Sequence, residues 1–92
     1  MITNEQVLQV GKLLNITFDK FSFEDFKVGL NIELEHGNIN SNTNVTNDNL
    51  FLTGKIALAH LNEFPNYYNK EYGLPKFEEF LKKRLWKNVM LL

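Results

Sequence analysis

The apolar residues of this chain recur at the three- and four-residue spacing of amphipathic helices, with polar stretches between them. The segment from residue 50 to residue 64 is apolar or small around most of a helical wheel, and only Lys55 and Asn62 share one polar strip. A helix with this pattern packs against neighbours over most of its surface. We therefore predict that this central helix organises the fold. His60 lies across the wheel from the polar strip and should be buried against the second helix.

Two further helices are predicted before the central one, each with a capping box at its start. Thr3 is followed three residues later by Gln6, and Ser22 is followed three residues later by Asp25. In such a box each of the two side chains accepts a hydrogen bond from the backbone of the other residue. The second helix should end at Gly37, where a glycine can act as a left-handed cap. Gly29, inside that helix, indicates close approach by another element, because an internal glycine costs about 0.5–1 kcal/mol relative to alanine.

The C-terminal third predicts one short and one long helix. Residues 66–72 should form a short helix closed by Gly73, and Pro75 suits the first turn of the last helix. The apolar stripe of the last helix consists of Phe77, Phe80, Leu81, Leu85, Val89 and Leu92. We expect this stripe to pack on the central helix. The fold class predicted is all-α: a small bundle of four main helices plus one short helix, in one domain whose body spans residues 1–73 and whose basic C-terminal helix spans 74–92.

Composition excludes several classes of site. The chain of 92 residues has no cysteine, which excludes disulfides, thiolate zinc sites and a cysteine nucleophile. It shows no serine elbow and no glycine-rich phosphate loop, so an enzyme is not favoured. No apolar run reaches the roughly 18 residues of a membrane span, and the N-terminus lacks the features of a signal peptide. We expect a cytoplasmic protein, in the host cytoplasm if the chain is viral.

Charge is distributed unevenly along the chain. Residues 1–75 carry five Lys and nine Asp or Glu, a net charge of −4, whereas residues 76–92 carry a net charge of +3. The overall charge of −1 argues against nucleic-acid binding by the whole protein. The basic residues of the last helix still allow contact with nucleic acid, an anionic membrane or an acidic protein. The candidate contact residues there are Lys83, Arg84, Trp86 and Lys87.

The two histidines of the chain define the sharpest candidate site. Glu33 precedes His36 by three residues, and His60 precedes Glu63 by three residues, so each pair shares one side of a helix. If the two helices run antiparallel, these four side chains could hold zinc or another transition metal. The alternative is structural: Glu33 or Glu63 accepts a hydrogen bond from His60 and satisfies a partly buried polar pair.

Two other stretches have a structural and a functional interpretation. Six of the twelve residues from 38 to 49 are Asn, as expected of a solvated connector, although Asn44 and Asp48 could also contact a ligand or a partner. Tyr67 and Tyr68 would ordinarily pack over a core edge with their hydroxyls in water, but they also suit an interaction surface.

Three stretches carry a resemblance to a known family: ELEHG at residues 33–37, TNVTND at residues 43–48 and TGKIALAHLNEFPNYY at residues 53–68. The chain resembles an uncharacterised bacterial and phage family of small helical domains, which has members in large DNA viruses. The resemblance covers residues 10–68 and implies homology without an established activity. This chain has Asn49 and Asn66 where the family has acidic residues, and the segment after Gly73 lies outside the resemblance.

These observations lead to three functional hypotheses. The first is a non-enzymatic module that binds another protein, in a phage- or virus-related role. The second is a small metal- or ligand-binding protein that uses Glu33, His36, His60 and Glu63. The third is contact with nucleic acid or a membrane through the basic last helix. The oligomeric state and the identity of the partner do not follow from the sequence.

Overall fold

Four α-helices make up the fold in the computed structural model, which describes the backbone of residues 2–91 and the side chains of residues 2–85. The helices are α1 (Asn4–Leu13), α2 (Phe23–Ile39), α3 (Leu50–Glu63) and α4 (Leu74–Leu91), and a 3-10 turn lies at Ser41–Thr43. The described residues contain no strand. The predicted all-α class, with four main helices and one short one, is therefore confirmed. None of the described helices has the length and apolarity needed to cross a bilayer.

The starts of α1 and α2 follow directly from the sequence. The Thr3 hydroxyl accepts a hydrogen bond from the backbone N–H of Gln6 at 3.2 Å, and the Ser22 hydroxyl accepts one from Asp25 at 3.0 Å. In both boxes the return hydrogen bond to the capping residue is also present. Each box satisfies two backbone donors that would otherwise lack partners at a helix start, which is why both predicted starts are confirmed.

The short helix lies before α3 and not after it, so its predicted position is wrong. Residues 66–72 form consecutive turns. The side-chain oxygen of Asn69 accepts hydrogen bonds from the backbone N–H groups of Glu71 and Tyr72, at 2.8 and 3.3 Å. An asparagine that bonds its own backbone in this way closes a turn and competes with helix formation.

The predicted end of α2 at Gly37 is also wrong, because the helix continues to Ile39. Gly37 does not adopt a left-handed conformation, since none of the described glycines has a positive φ. A Cβ atom added at Gly37 would lie 3.1 Å from Oδ1 of Asn44. The glycine therefore provides room for the Asn-rich loop against α2, and it does not end the helix.

The core is formed by α1, α2 and α3, with one residue from each of the segments before α1 and before α2 and one from the turn after α3. Its buried apolar members are Ile2, Val7, Val10, Phe21, Phe26, Leu30, Ala57, Leu61 and Tyr68. Gly54 of α3 lies against α1, since an added Cβ would meet the side chains of Val10 and Leu14. The opposite side of α3 is exposed at Leu52 and Ala59, so α3 is buried on one face and not over most of its circumference.

The last helix does not bury its apolar stripe. Phe77, Phe80, Leu81 and Leu85 are 57, 56, 48 and 66% exposed, so the prediction that they pack in the core is wrong. The buried face of α3 lies against α1 and α2 and not against these side chains. Leu74 packs at the edge of the core, Glu78 one turn later still reaches His36 of α2, and Leu81 and Leu85 beyond it are exposed. The molecule measures 50 × 29 × 21 Å, and this elongated shape agrees with a projecting helix. The predicted positions Val89 and Leu92 lie outside the residues whose side chains are described.

Gly29 confirms the predicted close approach to α2. The element that approaches is the ring of Tyr68, and a Cβ atom at Gly29 would overlap its Cδ2 and Cε2 atoms. The ring is buried, with 3% of its surface exposed, so it cannot move aside without leaving the core.

We expect Gly29→Ala to lower the free energy of unfolding by about 1–3 kcal/mol, because overpacking here outweighs the gain in helix propensity. The matched variant is Gly11→Ala in α1, where the added methyl group would meet the more exposed ring of Phe18 at 3.3 Å. That ring can shift, so the change should stay below about 1 kcal/mol. Urea denaturation of both variants measures the difference. Equal effects would contradict the proposed fit of Tyr68 on Gly29.

Candidate functional site

The candidate site is built around Glu33, one helical turn after Gly29 on α2. Because the Tyr68 ring lies on Gly29, its hydroxyl reaches Glu33 and donates a hydrogen bond of 2.5 Å to Oε2. Gly29 and Glu33 lie four residues apart and therefore on one side of α2. Gly29 leaves room for the Tyr68 ring, and Glu33 accepts the hydrogen bond from the Tyr68 hydroxyl.

His60 joins this pair from α3. Its Nδ1 atom lies 3.0 Å from Oε2 of Glu33 and 2.9 Å from the Tyr68 hydroxyl oxygen. A carboxylate can only accept, so the arrangement is satisfied when Nδ1 carries a proton and shares it between the two oxygens. The Tyr68 proton then goes to the carboxylate, and Nε2 is the ring nitrogen that the cluster leaves free.

Tyr67 completes the group, which we call the Glu33 cluster: Glu33, His60, Tyr67 and Tyr68. The Tyr67 ring stacks on the His60 ring with centroids 4.2 Å apart and an angle of 13° between planes. The Glu33 side chain is only 9% exposed and that of His60 is 33% exposed. His60 thus faces α2 as predicted, but it stays partly open to solvent.

Both tyrosines of the cluster are held in the neutral form. Burial raises the pKa of Tyr68 far above its ordinary value, and the hydrogen bond to Glu33 and the charge of that carboxylate add to the effect. Burial also raises the pKa of Tyr67, with further contributions from the negative charges of Glu33, Glu78 and Glu63. At neutral pH both hydroxyls are therefore hydrogen-bond donors, and the surroundings of Tyr67 carry a negative potential.

His36 lies at the edge of the cluster and links it to the last helix. Its Nδ1 atom is 4.0 Å from Oε1 of Glu33, and its Nε2 atom is 3.5 Å from a carboxylate oxygen of Glu78 on α4. The side chains of His36 and Glu78 are 44 and 38% exposed, so this contact contributes little to stability.

The predicted metal set is only partly assembled. Glu33, His36 and His60 come together, whereas Glu63 is exposed and takes no part in the hydrogen bonds of the Glu33 cluster. Among the described side chains, no group of three or more His, Asp or Glu residues has the geometry to hold a metal ion. The partner of His60 is Glu33, as the structural alternative allowed, and the Tyr68 hydroxyl bonds the same carboxylate oxygen.

The Asn-rich loop is ordered by its own side chains. The Asn44 amide donates a hydrogen bond of 2.7 Å to Asp48, and the Asn44 oxygen accepts from Thr46 at 3.3 Å. Asn47 and Asp48 adopt left-handed φ values of 50° and 63°, which these residue types tolerate. Asn44 and Asp48, two predicted contact residues, are therefore partners of each other, as expected of a structural connector.

The predicted basic contact residues have mixed surroundings. Lys83 lies 3.1 Å from Glu79 one turn earlier in α4, and Arg84 is exposed. The side chains of Trp86 and Lys87 lie outside the described part of the chain. Two contacts were not predicted from the sequence: that of Glu78 with His36 and that of Tyr68 with Glu33. The four-residue spacing of Gly29 and Glu33 was the available signal for the second contact.

Tyr68 should make stability sensitive to alkaline pH. In the unfolded chain a tyrosine loses its proton near pH 10, whereas the raised pKa keeps Tyr68 protonated in the folded chain. The unfolded state then binds fewer protons, so stability is complete below about pH 10 and falls above it by up to about 1.4 kcal/mol per pH unit. Thermal denaturation across this pH range measures the slope.

Tyr68→Phe should lower stability at neutral pH by about 1 kcal/mol and remove part of this alkaline loss, because the buried hydroxyl is gone. The exposed Tyr72→Phe should keep the wild-type slope. An unchanged slope in Tyr68→Phe would show that this hydroxyl does not carry the effect.

A double-mutant cycle tests the identity of the His60 partner. His60→Ala should cost about 1–3 kcal/mol, and its effect should couple to Glu33→Gln by about 0.5–3 kcal/mol because the two side chains share a hydrogen bond. The same cycle with the exposed Glu63→Gln should be additive. Coupling to Glu63 in place of Glu33 would refute this assignment.

One protein family matches this chain over most of its length. The family model described as Protein of unknown function (DUF5661) matches residues 7–79. The match includes the Glu33 cluster and continues past Gly73 into α4, so the predicted limit of the family-like region is too early. No curated protein and no solved structure matches the chain. Since the match covers most of its length, the chain belongs to the DUF5661 family of proteins of unknown function.

Proposed function

We propose that this protein is an interaction module that binds another protein through the apolar face of α4. We call this face the α4 stripe, and its described members are Phe77, Phe80, Leu81 and Leu85. The single observation that supports the proposal is the exposure of all four side chains, each about half or more open to solvent. Apolar side chains gathered on one exposed face are typical of interaction sites, because covering them removes apolar surface from water and lowers the free energy.

The α4 stripe continues into an open groove beside the first turn of α4. The groove has a volume of about 490 Å³ and is lined mainly by Phe64, Tyr67, Tyr72 and Phe77. The rings of Phe77 and Phe80 lie nearly parallel, with centroids 6.5 Å apart, so the groove and the stripe form one aromatic surface. Aromatic side chains are enriched in the centres of protein interfaces, which favours a protein as the ligand.

The charges of α4 favour a protein over nucleic acid or a membrane. Lys82, Lys83 and Arg84 lie within about two helical turns of Glu78 and Glu79, so the surface carries both signs. Phosphate-binding surfaces depend on basic residues without nearby carboxylates, because the carboxylates repel the phosphates. The mixed rim around an apolar stripe is the usual arrangement of a protein interface. A phage- or virus-related role for this module is part of the proposal, and only the sequence resemblance supports it.

The Glu33 cluster supports a structural role and not a catalytic one. Glu33 and Tyr68 are almost fully buried, and Oε2 of Glu33 already accepts hydrogen bonds from both Tyr68 and His60. A carboxylate that acts as a general base needs an oxygen within hydrogen-bond reach of the substrate proton. We therefore assign this cluster to the attachment of the turn after α3 to α2, and the function to the surface beside it.

Substitutions in the α4 stripe should weaken partner binding without unfolding the body. We expect Phe80→Ser and Leu81→Ser each to weaken binding by about tenfold or more, because side chains at the centre of an interface carry most of its free energy. The experiment uses the purified chain as bait in an extract of its source cell, followed by calorimetry with the purified partner; a second copy of the chain counts as a partner.

The control is Leu13→Ser, which removes a similarly exposed leucine from α1. It should bind as the wild type does, and all three variants should keep their helical circular dichroism. Partners retained equally by the stripe variants and the wild type would refute the proposal.

A further inference from the structure

We infer that the partner bound by the α4 stripe places an arginine side chain in the groove beside it. This groove is lined mainly by Phe64, Tyr67, Tyr72 and Phe77, and we call it the aromatic groove. The inference rests on the proposed function and specifies a chemical feature of the partner. It is supported by the aromatic lining, by the carboxylates near that lining, and by the continuity of the groove with the stripe.

The aromatic groove is formed where the chain passes from α3 to α4. Phe64 caps the end of α3, and Phe77 belongs to the first turn of α4. Tyr67 lies in the turns between them and is held by the ring of His60, which stacks on it. Phe64, Tyr72 and Phe77 are each more than half exposed. The groove therefore combines one fixed ring with three exposed rings that a ligand would cover.

Among the described residues, no charged side chain lines the aromatic groove. Lys70 borders the larger cavity between α2 and α4. Lys76 lies 3.8 Å from Glu79, whose side chain borders that same cavity. On the side of α4 that carries Phe77, the next basic residue is Arg84, seven residues and about 10 Å further along the helix. A cation from a partner would therefore meet no like charge in the lining.

Three carboxylates make the surroundings of the groove negative. Burial raises the pKa of Tyr67, and the charges of Glu33, Glu78 and Glu63 add to the effect. Glu63 directly precedes one lining residue in the chain, and Glu78 directly follows another. The faces of aromatic rings also carry partial negative charge, so rings in a negative potential attract cations. The chemical group that fits the groove is therefore a cation.

An arginine suits this lining better than a lysine or a methylated ammonium group. The guanidinium group is planar and weakly hydrated, so it stacks on exposed rings, whereas a lysine ammonium holds its water strongly. Its five N–H groups can donate to the acceptors of the lining residues, which are the Asn66 amide oxygen and the hydroxyl oxygens of Tyr67 and Tyr72. A quaternary ammonium group has no N–H to donate and favours an enclosed cage of rings.

The aromatic groove is continuous with the α4 stripe. Phe77 belongs to both, and its ring lies nearly parallel to that of Phe80. A partner segment that covers the stripe therefore reaches the edge of the groove, where an arginine can extend across the rings. The methylene groups of an arginine cover apolar surface while its charged end stays in contact with water. Arginine is also enriched among the side chains that carry most of the binding free energy of interfaces.

Titration with capped amino acids, followed by NMR, tests the chemistry of the ligand. The probes are the N-acetyl amides of arginine, lysine, trimethyllysine and citrulline, all at the same ionic strength. Citrulline has nearly the shape of arginine but no charge. We expect the arginine probe to bind with a dissociation constant of about 5–50 mM and the citrulline probe to bind about fivefold or more weakly. The methylene protons of bound arginine should shift upfield, because protons above an aromatic ring are shielded.

The position of the response on the protein is part of this test. The aromatic resonances of Tyr72 and Phe77 should change, whereas the methyl resonances of Val28 and Ile32, in the cavity between α2 and α4, should not. Equal binding of citrulline, tighter binding of lysine or trimethyllysine, or a response confined to Val28 and Ile32 would overturn the inference. So would the absence of arginine binding up to about 200 mM.

Substitutions of exposed residues test the site itself. Tyr72→Ala should weaken binding of the arginine probe by about two- to fivefold, whereas Tyr72→Phe keeps the ring and should weaken it by less than about twofold. Leu13→Ala on α1, where the leucine is as exposed as Tyr72, is the control and should bind as the wild type does. Equal binding by Tyr72→Ala and the wild type would contradict the assignment of the groove.

The charge contribution has its own matched pair. Glu63→Gln should weaken binding of the arginine probe by about twofold, because it removes one nearby negative charge. Glu5→Gln makes the same change on exposed α1 and should have no effect. Equal effects of the two variants would show that the net charge of the protein, and not the surroundings of the groove, attracts the probe.

The two proposals fail in different ways. The partner found in the bait experiment should bind Tyr72→Ala about fivefold or more weakly than it binds the wild type. If its binding depends on Phe80 and Leu81 but not on Tyr72, the arginine in the groove is refuted and the proposed function still stands. If no protein binds through Phe80 and Leu81, both proposals fail, whatever the arginine probe does.

Discussion

The hydrogen bond from the Tyr68 hydroxyl to Glu33 is the interaction on which the rest of this structure depends. It attaches the turn after α3 to α2, and it requires that Gly29 leave room for the ring. His60 adds a second bond from α3 to the same carboxylate oxygen. A buried carboxylate without partners would be costly, so these contacts act as a unit and fix the position of the turn relative to both helices.

The position of this turn decides what happens to the last helix. With Tyr68 closing the core, the chain leaves the body at Gly73, and Leu74 is the residue of α4 that joins the core edge. The side chains of the α4 stripe do not pack on the core formed by α1, α2 and α3. The helix therefore presents its apolar side to solvent, although most of the stability of an amphipathic helix comes from packing of that side.

The same arrangement separates structural chemistry from surface chemistry in this small domain. Glu33 and His60 are the titratable groups that first suggest a site. Their hydrogen bonds join α2 to α3 and, through Tyr68, to the turn after α3. The features that remain available are the aromatic groove, the apolar stripe and the two-signed charge of α4. A domain of 92 residues buries a smaller share of its surface than a larger domain does, so one exposed helix is a large share of the molecule.

The sequence by itself determined the local features of this protein. It predicted the helical class, both capping boxes and the close approach at Gly29, because these depend on residues within one or two turns. It could not place the short helix, since the Asn69 side chain decides that segment, nor distinguish Glu33 from Glu63 as the partner of His60. The burial of α4 was also decided by tertiary structure: an apolar stripe predicts that a face will be covered, but only the packed core shows whether the chain itself covers it.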